Sequence, residues 1–251
     1  MLLQITDLNR GDEGVAELAN AGGPFIRAAW RDALMLHFLV PAEELQAVTP
    51  FPLDLYAGWG AVTLVAFRME DLQFVRWPYL PTWATAPAEH TFLNVRTYVR
   101  EGGETGIHFL REYVPKLLAR LVGPLTYGLP YRYATIDYQH DAKNRRFRGE
   151  IGRRIGIGFD AEYALEPAPT LPGTFDEFVL ERYTAFNRWQ GKNVLFRVAH
   201  PRWLMRRARL REFHDEALRG LFPFWEEARF VGGHFTPGFD AVQMGAPKLI
   251  Q

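Results

Sequence analysis

Apolar and polar positions alternate along much of the chain, and this pattern predicts strands. Leu93, Val95, Thr97 and Val99 alternate with Asn94, Arg96, Tyr98 and Arg100. A period of two places the two sets on opposite faces of one strand. Gly102-Gly103 supplies a turn, and Ile107 to Val114 returns. Phe25 to Val40 is apolar and rich in large side chains, which predicts a long strand. Leu53 to Tyr56 and Ala61 to Met69 read as two further strands parted by Gly58 and Gly60. Tyr131 to Tyr138 and Arg146 to Tyr163 read as an antiparallel pair joined by the polar stretch His140 to Arg145. Gly149, Gly152, Gly156 and Gly158 punctuate the second member, which predicts bulges or the curvature of a closing barrel. Ala228 to Val242 returns to strand character.

Helix signals are fewer. Short helices are expected around Val15 to Leu18, over Pro41 to Val48 and over Pro115 to Val122. The best pattern is Phe175 to Asn187, where Thr174 and Glu177 fit a capping box and Phe175, Phe178, Val179, Tyr183 and Phe186 line one face. Arg211 to Leu221 is a late helix on the same grounds. Regular strand–helix alternation is absent, so a doubly wound sheet is excluded and the class is α+β, mainly antiparallel β.

Composition narrows the function. The chain has 251 residues, of which 48% are apolar and 14% aromatic, ample for a packed core. Its 29 basic and 29 acidic residues cancel, and a neutral chain lacks the basic field that nucleic-acid binding needs. No apolar run approaches the ~18 residues of a membrane span, and the N-terminal segment turns acidic by residue 12, unlike a signal peptide. A cytoplasmic protein with no nucleic-acid or membrane partner is expected. Cysteine and serine are both absent, which excludes disulfides, thiolate chemistry and serine triads. The seven histidines show neither H-x-H nor H-E-x-x-H spacing, so no metal is expected. Gly149-x-x-Gly152 and Gly156-x-Gly158 lack the order and context of a dinucleotide loop. No cofactor is indicated.

Four lysines stand against 25 arginines, and Lys116 draws most attention. It lies in the apolar setting Tyr113-Val114-Pro115-Lys116-Leu117-Leu118. Burial lowers an ammonium pKa, and a neutral amine can attack a carbonyl to form a Schiff base. Arg120 sits one helical turn further on and adds like-charge pressure. The alternative is a surface lysine whose stem covers apolar neighbours. Glu112 and His108 share a strand face by period two and together suit acid–base work, against the alternative of an ion pair from Glu112 to an arginine. Arg96 is a candidate carboxylate clamp. The basic run Arg202 to Arg211 reads as a solvated helix face, because Asp215 and Glu216 follow it.

Six segments taken in order carry a family resemblance: WGAVTLVAFRM from Trp59, NVRTYV from Asn94, REYVPK from Arg111, GLPY from Gly128, FVLERY from Phe178 and AHPRW from Ala199. Together they resemble the bacterial family called domain of unknown function 2071, within the acetoacetate decarboxylase-like superfamily. The resemblance spans roughly residues 25–245. It implies a curved antiparallel β-barrel or cone with short peripheral helices and an internal cavity, formed by residues 25–251 after an N-terminal extension of residues 1–24. In acetoacetate decarboxylase a Pro-Lys-Lys segment supplies the Schiff-base lysine, and that enzyme is a standard instance of lysine activation by a cationic neighbour. Pro115-Lys116 is similar to it, with Leu117 in place of the second lysine.

Three readings follow. The first is a barrel that binds a small carbonyl, carboxylate or aromatic compound in an apolar cavity. The second is a Schiff-base lyase of decarboxylase, dehydratase or aldolase type, with Lys116 as nucleophile, Glu112 moving protons, and Arg96, Arg120 and His108 around the substrate. The third is an interaction protein that forms a homo-oligomer or takes a protein partner through aromatic segments such as Phe74 to Tyr79.

Overall fold

A computed structural model describes residues 18–20, 22–75, 90–115, 127–152, 156–201 and 203–250. Lys116, Arg120 and all but the first residue of the expected Pro115 to Val122 helix lie outside the described residues. The first half of the chain gives β1 (Pro24–Val40), the short helix α1 (Ala42–Ala47), β2 (Gly60–Phe74), β3 (His90–Glu101) and β4 (Glu104–Val114). Next come β5 (Tyr131–Tyr133), β6 (Ile136–Asp141), β7 (Arg146–Ile151), β8 (Ile157–Tyr163), the helix α2 (Phe175–Leu180), β9 (Thr184–Trp189) and β10 (Lys192–Ala199). The chain closes with β11 (Arg206–His214), the helix α3 (Glu216–Leu221), a 3-10 turn at Pro223–Glu227, β12 (Arg229–Gly245) and β13 (Lys248–Ile250).

Among the described residues the strands join one sheet in the order β13-β10-β9-β4-β3-β2-β1-β12-β11-β8-β7-β6, with β5 beside β4. A second pairing of β10 with β12, at Val198↔Met244 and Ala199↔Gln243, closes the run from β10 round to β12 into a barrel. The remaining strands, β11 to β6, extend from β12 as a wing. Period-two alternation then builds two cores. Ala33 and Met35 of β1, Val65 and Phe67 of β2, Tyr98 of β3, Phe109 of β4, Ala185 of β9 and Phe196 of β10 face the barrel interior. The alternate residues Leu34, Leu36, Phe38, Val62, Leu64, Leu93 and Val95 face outward and pack under the wing, on Phe147, Phe159, Leu218 and Trp225.

Several predicted elements are shorter than the sequence pattern suggests. The helix expected over Phe175 to Asn187 stops at Leu180. Thr184–Trp189 instead pairs with β10, where its β-branched and aromatic side chains fit a pleated surface. The start signal is real: Thr174 Oγ1 accepts from the Glu177 amide at 3.3 Å, while the Glu177 carboxylate accepts from the Gly173 amide rather than from Thr174. The helix expected over Arg211 to Leu221 shrinks to Glu216–Leu221, because the arginine run belongs to β11. Arg207, Arg209 and Arg211 alternate with Ala208 and Leu210, and Arg209 and Arg211 both hold Glu162, at 3.1 and 2.9 Å. The expected Tyr131 to Tyr163 pair is split: β5 pairs in parallel with β4, and β6, β7 and β8 form a three-strand meander. Leu53 and Tyr56 make only isolated bridges.

Glycine allows the close approaches this curvature requires. Gly149 of β7 leaves room for the Phe159 ring, whose Cζ would lie 2.3 Å from an added Cβ. Gly238 of β12 has φ +109°, and a Cβ there would meet the Trp30 carbonyl oxygen at 1.8 Å. Gly238→Ala is therefore expected to destabilise the chain by roughly 2–4 kcal/mol, the sum of a positive-φ penalty and an overpacking cost. Urea unfolding would show this as a lower midpoint; an unchanged midpoint would contradict the register of β1 on β12.

Candidate functional site

The barrel interior is apolar, but one wall carries polar side chains. Asn94, Arg96 and Tyr98 of β3 point inward by alternation, as do Glu112 of β4, Thr63 of β2, His37 of β1 and His234 of β12, and all are buried. Asn94 and Glu112 are direct cross-strand partners. Such partners hold their Cβ atoms about 4.5–5.5 Å apart. Among the described residues Asn94 Oδ1, Glu112 Oε2 and Arg96 Nε are enclosed and make no hydrogen bond. Leaving a buried polar atom unpaired costs about 1–3 kcal/mol, more for a charged group.

Burial alone raises the Glu112 pKa to about 8. The side chain is thus a neutral carboxylic acid at neutral pH, able to donate as well as accept. The alternative of an ion pair from Glu112 to an arginine is not seen among the described residues. Tyr131 of β5 is the parallel neighbour of Glu112. Its phenol is held well above the ordinary range by burial, then by Glu112 and Tyr127. Arg96 is already engaged, because its Nη2 donates to the Val179 carbonyl of α2 at 3.2 Å and lies 3.8 Å from Met35 Sδ.

His108 does not join Glu112. The pairing of β3 with β4 slips between Val95↔Arg111 and Arg96↔Phe109, so one extra residue of β4 is accommodated there. One extra residue reverses every side chain beyond it. Glu112 therefore faces Asn94 inside the barrel, whereas His108 faces Thr97 on the outside. His108 packs edge-on to Phe51, its Nδ1 lies 2.8 Å from the Phe186 carbonyl, and burial lowers its pKa.

Sequence reasoning missed a second interior group. His37 Nδ1 lies 2.9 Å from Thr63 Oγ1, which lies 2.6 Å from the Tyr98 hydroxyl, and Tyr98 donates to the Val179 carbonyl at 3.0 Å. His37 Nε2 lies 2.9 Å from His234 Nδ1. These residues come from four strands far apart in sequence. The one local signal was His37 interrupting the apolar run from Ala33 to Val40. Further along the interior an aromatic wall runs from Phe92 to Phe67, stacked at 5.1 Å, and on to Trp30, Trp203 and Phe239. Trp30 Nε1 is enclosed there without a partner. His200 lies against this wall, and burial lowers its pKa to about 4, so it is neutral across the ordinary range.

A surface cleft of about 670 Å³ lies elsewhere, lined by Leu18, Glu104, Leu195, Arg197 and Lys248. Its Glu104 and Arg197 pair with each other and with Thr184, so their charges are already matched. No described helix is long and apolar enough to cross a membrane.

The closed barrel and its wing have an acetoacetate decarboxylase-like fold. Three solved structures share it over about nine-tenths of each chain. Enduracididine biosynthesis enzyme MppR complexed with pyruvate gives a TM-score of 0.66 at 13% identity, covering 91% of both chains. Acetoacetate decarboxylase from Legionella pneumophila gives 0.62 at 16%, covering 91% of this chain and 88% of that one. An acetoacetate decarboxylase-like enzyme from Sphingomonas wittichii RW1 gives 0.61 at 15%, covering 90% and 93%. Within this fold the chain belongs to the family domain of unknown function 2071, described as an uncharacterized conserved protein, whose model matches residues 27–227. The uncharacterized protein YqjF of Bacillus subtilis is 28% identical over 187 residues, covering 73% of this chain and 76% of YqjF.

Proposed function

We propose that the barrel binds a small compound bearing a carbonyl or carboxylate group, held at the wall formed by Asn94, Arg96 and Glu112. The observation that carries this reading is the set of unpaired polar atoms on that wall. Glu112 as an acid and Arg96 Nε would donate to a ligand carbonyl or carboxylate oxygen, Asn94 Oδ1 would accept from a ligand hydroxyl, and these contacts would relieve the cost of burying the wall's polar atoms. The aromatic wall from Phe92 to Trp203 would take the apolar part of the ligand. The pyruvate held by MppR supports the choice of probe.

A panel of small oxo acids, beginning with pyruvate, tests the reading by thermal shift. A saturating ligand is expected to raise Tm, because at 100 times its Kd a ligand adds about 2.7 kcal/mol to the folded state. Asn94→Leu, which fills the wall with an apolar side chain, is expected to abolish the shift. A panel that leaves Tm unmoved defeats the proposal.

A second reading, a Schiff-base enzyme with Lys116 as nucleophile, rests on the resemblance of Pro115-Lys116 to the decarboxylase segment and on the acid Glu112 four residues upstream. The lysine amine would add to a ligand carbonyl, and loss of water would give the iminium, with Glu112 able to supply the proton that leaves with the oxygen. Arg96, Arg120 and His108 were the expected substrate contacts, and of these Arg96 is on the interior wall while His108 is outside it. Pyruvate with borohydride should then add a stable mass to Lys116, and Lys116→Arg should remove it.

A further inference from the structure

The interior line of His37, Thr63, Tyr98 and His234 can be read for its protons. The Val179 carbonyl only accepts, so Tyr98 must donate to it. The Tyr98 oxygen then accepts from Thr63, Thr63 accepts from His37 Nδ1–H, and His37 Nε2 accepts from His234 Nδ1–H. Each of these groups has one transferable hydrogen in its neutral form. That direction leaves His234 Nε2 facing Asp176 Oδ1 of α2 at 3.5 Å. The contact attracts only if Nε2 carries a proton as well. Reversed, the line satisfies Asp176 with both rings neutral, but Tyr98 then points its hydrogen at Thr63 and its oxygen opposes the Val179 carbonyl. All five contacts together therefore need one proton more than two neutral rings supply.

We propose that the His37–His234 pair binds a single shared proton, and that this proton latches α2 onto the end of the barrel. Both ends of the line, Asp176 and Val179, belong to α2. Without the proton one of the two attachments is lost. The charged groups around the line, among the described residues, bear on its affinity. Asp176 favours the proton, though Arg207 Nη2 holds Asp176 at 2.7 Å. Arg96 disfavours it from β3, and Arg182 lies over the Tyr98 ring at 5.7 Å while paired with Asp54 at 2.9 Å. Burial outweighs the rest and lowers both rings below the ordinary histidine value. The proton is therefore taken up below the ordinary histidine range, and the latch tightens as pH falls. This inference does not depend on the ligand proposed above.

The test is a nitrogen-15 titration of histidine-labelled, full-length protein between pH 8 and pH 4. His37 and His234 are expected to move through one common midpoint below the ordinary histidine value, taking up one proton between them. The α2 amides should exchange more slowly below that midpoint, after correction for intrinsic rates. Tyr98→Phe gives the discriminating result. Without the phenol, Thr63 donates to His37, His37 to His234 and His234 to Asp176, and neutral rings suffice. Proton binding should then weaken about tenfold, the equivalent of one buried hydrogen bond. Two separate midpoints in the wild type, or no titration of either ring down to pH 4, would overturn the proposal. So would a folded Tyr98→Phe whose midpoint is unmoved, and the wild-type titration decides alone if that variant does not fold.

Discussion

Glu112→Gln should change how stability depends on pH more than any other single substitution in the barrel. The folded carboxyl keeps its proton up to about 8, whereas the unfolded one releases it near 4.5. Between those values the folded state binds more protons than the unfolded state. Stability contributed by the neutral acid is thus complete below pH 4.5 and is lost as pH rises through about 8. At 1.36 kcal/mol per unit the full loss approaches about 5 kcal/mol. Glutamine keeps the shape and cannot ionise. The variant is therefore expected to match the wild type within about 1 kcal/mol at pH 5, the scale of one hydrogen bond, and to exceed it at pH 9. The histidines with lowered pKa values act in the opposite sense, favouring the fold as pH rises, but they are common to both proteins and cancel in the difference. Urea unfolding of the pair at pH 5 and pH 9 measures it. A gap equal at both values would show that Glu112 does not hold a buried proton.

Trp225→Ala should cost roughly 3–5 kcal/mol, the range for deleting a buried large aromatic side chain. Trp225 is wholly enclosed in the 3-10 turn at Pro223–Glu227. Its ring packs on Phe38 at 4.9 Å, and Nε1 donates to Asp215 Oδ2 at 3.0 Å. Removing it empties the joint between the wing and the outer face of β1 and, among the described residues, leaves the Asp215 carboxylate to Arg219. Trp225→Phe keeps most of the volume and should cost about 1–2 kcal/mol, mainly the lost hydrogen bond. Denaturant unfolding separates the two variants. Because Trp225 lies outside the barrel, ligand binding per folded molecule should be unchanged in either. A variant that folds as stably as the wild type but loses ligand affinity would mean that the two cores are wrongly assigned.

The alternation in β3 was plain in the sequence and placed Arg96 and Asn94 on one face, as the structure has them. Long strands such as Phe25 to Val40 were equally legible, because large apolar residues recur along their whole length. Helix lengths were not. Tyr183 and Phe186 fit both a helical stripe and a strand, and pairing with β10 decided between them. The pairing of His108 with Glu112 failed for a related reason, since a one-residue slip against β3 leaves no mark in the composition of β4. The histidine line was not legible beyond His37 itself, because the pairing of β1 with the distant β12, not spacing along the chain, brings His37 and His234 together.

β1 and β12 are each 17 residues long and lie side by side through both layers. Leu34, Leu36 and Phe38 anchor the wing, while Ala33, Met35 and His37 line the interior, so adjacent residues of one backbone serve different cores. Neither layer can melt and leave the other intact, because the strand that frays on one side withdraws its other face as well. Heat should therefore disassemble barrel and wing as one cooperative unit, with a single transition reported alike by probes in either layer.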